Sequence, residues 1–107
     1  MANHHRGEVD AVLDGARFTL CLTLGALAEL EAAFGAEDML ALASRFSGGR
    51  IAARDAIRII GAGLRSGGHM VEDAAVGEMR AEGGAAGYVN IVARLLRATF
   101  GAGGDAA

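Results

Sequence analysis

Apolar and polar residues alternate from Glu8 to Leu22, and the pair Asp14-Gly15 interrupts the alternation. A two-residue hairpin turn needs positive φ at both central positions, and Asp-Gly suits it. That turn sets Leu13 opposite Ala16, Val12 opposite Arg17, Ala11 opposite Phe18 and Val9 opposite Leu20. Side chains alternate along a strand, so Val9, Ala11, Phe18, Leu20 and Leu22 share one face. Glu8, Asp10, Val12, Arg17, Thr19 and Cys21 take the other. Both strands agree on the apolar face, which supports this register. A lone hairpin is marginal in water, so that face must lie on helices or join another sheet.

Beyond Leu22 the apolar spacing changes to three and four residues, the helical period. Thr23 is placed to cap a helix from Leu24 to Phe34, with Leu27, Leu30 and Phe34 inward and Gly35 as its stop. A second helix is expected over Glu37–Phe46, with Glu37 and Asp38 in its first turn and Met39, Leu42 and Phe46 as its stripe. Ser47-Gly48-Gly49 ends it. A third runs from Ala53 to Leu64 or Arg65, burying Ala53, Ile57, Ile60 and Leu64. Ser66-Gly67-Gly68-His69 reads as a loop. A fourth helix is expected over Glu72–Ala81, with Val76 and Met79 inward, and Gly83-Gly84 breaks it. The last, Ala85–Phe100, opposes a stripe of Tyr88, Val92, Leu95, Leu96 and Phe100 to a polar line of Asn90, Arg94 and Arg97.

The pattern predicts an α+β fold: an N-terminal β-hairpin followed by four or five short α-helices, mainly helical. Residues 1–100 form a single domain in this reading, and 101–107, which lack an apolar anchor, form a flexible tail. Length agrees, since 107 residues is one domain's worth. Of the 52% apolar residues, 24 are alanine, so 32 larger side chains must supply the core. Proline and lysine are absent, and 17 glycines cluster mainly at helix ends. No apolar run reaches the ~18 residues that span a bilayer. The N-terminus lacks the apolar stretch of a signal peptide. A bacterial cytoplasmic protein without membrane contact is expected.

Charge and candidate chemistry narrow the function. A net charge of −3 argues against a nucleic-acid partner. The third helix, the Ser66–Val71 loop and the fourth helix superficially resemble a helix-turn-helix. However, Glu72, Asp73, Glu78 and Glu82 on the second of those helices would repel phosphates. One cysteine allows no intramolecular disulfide and no cysteine-based zinc cage. Cys21 has only Arg17 near it on its face, and reads as inert. His4, His5 and His69 have no ligands at metal-site spacing and read as solvated. Gly61-Ala62-Gly63 and the Gly83–Gly87 run lack the context of a phosphate loop. The first reads as close helix packing or a bend, the second as a helix break. The paired acids Glu37-Asp38 and Glu72-Asp73 read as helix-start charges, and Glu29 and Glu31 diverge. No enzyme activity, metal or cofactor is expected. Arg54, Arg58 and Arg65 fall within about 40° of one another on the third helix, a solvated face or a dock for an acidic protein.

Ordered motifs carry a family resemblance. Arg6-Gly7-Glu8-Val9, Leu13-Asp14-Gly15 and the run Leu22-Thr23-Leu24-Gly25-Ala26-Leu27-Ala28-Glu29-Leu30-Glu31 resemble the opening of the gene transfer agent family. These are small tail-module proteins of phage-like particles. Ala53-Arg54-Asp55, Ile59-Ile60-Gly61-Ala62-Gly63-Leu64-Arg65, Gly68-His69 and Glu82-Gly83-Gly84 fit in the same order, though Ala52-Ala53 stands where a Ser or Thr cap is more usual. The family is similar to phage tail assembly chaperones and is also described as tail-tube related. The resemblance implies a non-enzymatic assembly factor that binds and solubilises the tape-measure protein and recruits tail-tube subunits. The alternative it leaves is a structural tail component, tube or connector. A small nucleic-acid-binding regulator ranks behind both. Homo-oligomerisation is compatible with each. The partner-binding surface expected here is the stripe Tyr88, Val92, Leu95, Leu96 and Phe100, unless that stripe is simply core; Arg54, Arg58 and Arg65 are a second candidate.

Overall fold

A computed structural model describes residues 2, 3, 6–48 and 50–101. The expectations for His4, His5, Gly49 and the tail beyond Gly101 lie outside the described residues. Strands β1 (Val9–Leu13) and β2 (Ala16–Leu20) form a two-stranded antiparallel sheet. Its register is the expected one: Val9 faces Leu20, Ala11 faces Phe18 and Leu13 faces Ala16. Asp14 and Gly15 both take positive φ, 54° and 77°. Val9, Ala11, Leu13 and Leu20 are buried, while Val12 on the opposite face is exposed.

Helix α1 (Leu24–Phe34) starts and stops at the expected residues. The Thr23 hydroxyl accepts the Ala26 N–H at 3.1 Å, and Gly35 closes the helix in the left-handed region. Helix α2 (Met39–Arg45) is shorter than Glu37–Phe46 because Asp38 is its cap, accepting the Ala41 N–H at 2.8 Å. Only Leu42 of its expected stripe is buried. Met39 faces outward, and Phe46 packs edge-on against Phe34 beneath the Arg45 guanidinium.

Helix α3 (Ala53–Ser66) is the centre of the fold. It touches α1, β2, α4 and α5. The stretch from Ile59 to Leu64 is buried at every residue. The expected single stripe is therefore corrected. Ile60 and Leu64 are core and Ile57 is half-buried, but Ala53 is exposed, and Ala56, Ile59 and Ala62 join the interior. A helix enclosed by several elements has no single inward face. Small residues permit that enclosure: a Cβ on Gly63 would lie 2.7 Å from Leu95 Cδ2 and 3.2 Å from Leu20 Cδ2. As the missing Ser or Thr before Arg54 suggests, no side chain caps this helix.

Helix α4 spans only Asp73–Val76, not the expected Glu72–Ala81. After Gly77 the chain returns to the hairpin tip. Ala81 bridges Leu13, the Asp14 N–H donates to the Arg80 carbonyl at 2.8 Å, and the Arg80 N–H donates to Asp14 Oδ1 at 2.9 Å. Those backbone groups cannot also serve a helix. Val76 is nevertheless buried and Met79 half-buried, both inward as expected. Helix α5 (Gly84–Phe100) follows Gly83, whose φ of 89° makes the break. It buries Ile91, Val92 and Leu95 against α3 and β1. Ile91 was not part of the expected stripe. The architecture is α+β.

Candidate interaction surfaces

The residues expected to bind a partner separate into four settings. Val92 and Leu95 are core, 3% and 0% exposed. Tyr88, Leu96 and Phe100 are half-buried and pack against that core, and the Tyr88 hydroxyl donates to the Met79 carbonyl at 2.6 Å. The helix stripe is thus mainly what holds α5 to the molecule. Arg54 and Arg58 are exposed, with no ion pair among the described residues. Arg65 turns back on the protein. Its guanidinium donates to the Val71 carbonyl at 3.0 Å and Asp73 Oδ1 at 2.9 Å, and reaches Glu29 at 3.7 Å. Asp73 lies over Gly61, where a side chain would collide with its carboxylate. The three arginines share a helix face, yet only two face outward.

An apolar groove of about 270 Å³ opens between α3, the segment after α4 and the first turns of α5. Ile51, Ile57, Val76, Met79, Tyr88 and Val89 are among its walls. Ile51 and Val89 had no role in the sequence pattern. Around the helix Val89 lies within about 20° of Leu96 and Phe100, so the helical period itself could have added it to that stripe. Arg54 and Arg58 are exposed on α3 but turned about 100–160° from its groove-lining Ala53, Ala56 and Ile60, whereas exposed Glu78 lies between wall residues Gly77 and Met79. A second depression, about 330 Å³, lies between β1 and α5 and is polar. Arg94 occupies its side, donating to the Asp10 carbonyl at 2.7 Å and to Asn90 Oδ1 at 2.9 Å.

The remaining candidate chemistry is occupied structurally. Cys21 is half-buried with Sγ 3.4 Å from the Ser66 carbonyl. Burial first, and the Glu8 carboxylate second, push its thiol pKa up, with Arg6 opposing them. The neutral thiol is a poor nucleophile. Arg6, rather than the Arg17 picked out by strand alternation, is the cation that acts on it. His69 stacks edge-on with Phe18, ring centroids 5.0 Å apart. Among the described residues no three His, Cys, Asp or Glu side chains are placed to hold a metal. No described helix is long and apolar enough to cross a membrane.

Fold and surface together define a small α+β protein that presents an apolar groove and exposed arginines on its central helix. Its sequence matches the phage tail tube protein family GTA-gp10 over residues 6–102, and the chain belongs to that family. No curated protein and no solved structure matches it.

Proposed function

We propose that this chain is a non-enzymatic component of tail building in a gene transfer agent or related phage-like particle, acting with tail-tube subunits. The family match over residues 6–102 carries this reading. It favours the tube-side role, a structural component retained in the particle, over the purely transient one. A second reading, an assembly chaperone that covers the tape-measure protein in the bacterial cytoplasm, draws on the molecule's own surface. Its sheet has two strands among the described residues, little material for a sheet-built wall, and its groove is apolar. Helix-in-groove contacts are a common way to cover an amphipathic partner.

Co-expression with the neighbouring tail proteins, followed by pull-down and mass analysis of finished particles, separates the two. Capture of tube subunits and retention in particles supports the tube-side role. Capture of the tape-measure protein in lysate with absence from particles supports the chaperone. Charge reversal of Arg54 and Arg58 tests whether the exposed arginines dock an acidic partner, because neither has an ion pair to lose among the described residues. Reversing Arg65 as well would break its contacts with Asp73 and Glu29 and confuse binding with folding.

A further inference from the structure

Helix α2 is held to the rest of the molecule by side chains alone. The backbone hydrogen bonds of residues 37–47 close within that segment. The Leu42 N–H donates to the Asp38 carbonyl, the Phe46 N–H to Ala43 and the Ser47 N–H to Ser44. The Asp38 carboxylate and the Ser47 hydroxyl also bond inside it, to the Ala41 N–H and the Ser44 carbonyl. Among the described residues no hydrogen bond leaves the segment for another element. Leu42 is the one buried residue of the helix. Phe46 meets Phe34 of α1 edge-on, ring centroids 5.2 Å apart. The Arg45 guanidinium lies over both rings, 5.1 Å and 5.6 Å from their centroids, and reaches Asp55 of α3 at 3.7 Å. Leu40, about 160° around the helix from Leu42, points to solvent.

We infer that α2 is a gate that opens as one unit while the hairpin, α3 and α5 stay folded, with Arg45 as its latch. Closed, the gate covers Leu42 and packs on the Phe34 ring; open, it uncovers both. Met39 and Leu40 are exposed already, so opening joins them to Leu42 in one accessible apolar segment. Proteins open in contiguous units, and each unit's stability follows the contacts that hold it. One buried leucine and a partly exposed ion pair hold α2, and such pairs contribute little. Helix α3, enclosed from Ile59 to Leu64, stands at the other extreme. A seven-residue helix does not persist in water by itself, so α2 unfolds as it leaves α1. Gly35, left-handed at a φ of 68°, and Gly48 flank the gate in open space, where the chain can turn without collision. The gate is independent of the tail role: a chain whose α2 never opens alone would leave the family assignment standing.

Amide hydrogen exchange of the full chain in low, sub-denaturing urea tests this. The α2 amides from Leu42 to Arg45 should share one opening, at least about tenfold more populated than the opening that exposes Ile60 and Leu64. Its population should rise with urea, because undocking uncovers surface. Ile91→Val thins the packing of α5, which lies on α3 and β1. It should speed exchange at Ile60 and Leu64 about twofold to tenfold and leave α2 unchanged, because the open state keeps α5 folded. Arg45→Gln should speed α2 exchange about threefold to tenfold. Ile60 and Leu64 should quicken by the same factor, since every state with α2 released has lost the latch. Exchange in α2 that ignores urea is fraying without undocking, and it overturns the inference. So does α2 exchange that accelerates with Ile91→Val, which means that α2 opens only with the whole molecule. An Arg45→Gln rate in α2 equal to wild type overturns it too.

Discussion

Gly63 is where α3 packs closely on the leucine core. A methyl there would press on Leu95 and Leu20, both fully enclosed. Overpacking costs about 1–3 kcal/mol, and better helix propensity returns at most about 1 kcal/mol. Because neither leucine has room to yield, the steric cost wins. Gly63→Ala should lower the melting temperature by several degrees, measured by thermal unfolding; an unchanged or higher value contradicts the packing described. Leu95→Ala should cost more, about 2–5 kcal/mol, because it empties the same contact. Cys21 gives a chemical check. Burial and the Glu8 carboxylate raise its thiol pKa, so at a fixed mildly alkaline pH it should alkylate more slowly in the native chain than in denaturant. Equal rates would place the thiol in open solvent. Close packing at Gly61 and Gly63 was legible from glycine inside a helical pattern. The partners, Asp73 and Leu95, were not, because they come from distant parts of the chain.

The hairpin and α1 were legible in full because their signals are local. Side-chain alternation fixes the strand faces, Asp14-Gly15 fixes the turn, and Thr23 and Gly35 bound the helix. Removing the cap tests this directly: Thr23→Ala should cost about 1 kcal/mol, read from denaturant unfolding. The end of α4 was not legible, since the hairpin tip decides it from 66 residues away along the chain. Asp14→Gly keeps the positive φ and removes the carboxylate that accepts the Arg80 N–H. Amide exchange at Arg80 should accelerate while the strand amides of β1 and β2 stay protected. Protection unchanged at Arg80 would mean that the carboxylate contact is not what anchors residues 79–82. The burial of α3 was half legible. Its periodicity gave Ile60 and Leu64, but enclosure on several sides added Ala56, Ile59 and Ala62, which no single-face pattern marks.

The assembled surface was the least legible part. Tyr88, Val92, Leu95, Leu96 and Phe100 were one stripe in sequence, and folding spends most of it on the core. Arg54 and Arg58 remain outside, while Arg65 is spent holding the α3–α4 loop. The groove draws residues from Leu13 to Val89 and exists only once α3, α4 and α5 have packed. What sequence order did reveal was the family, which spans nearly the full length of the chain. The tail role is therefore best tested in the particle itself. Purified particles should be digested and this chain quantified by mass spectrometry against the tail-tube subunits. A fixed ratio across preparations is the result predicted for a tube-side component. Its absence from particles, with no tube subunit bound to it in the lysate, would contradict that role.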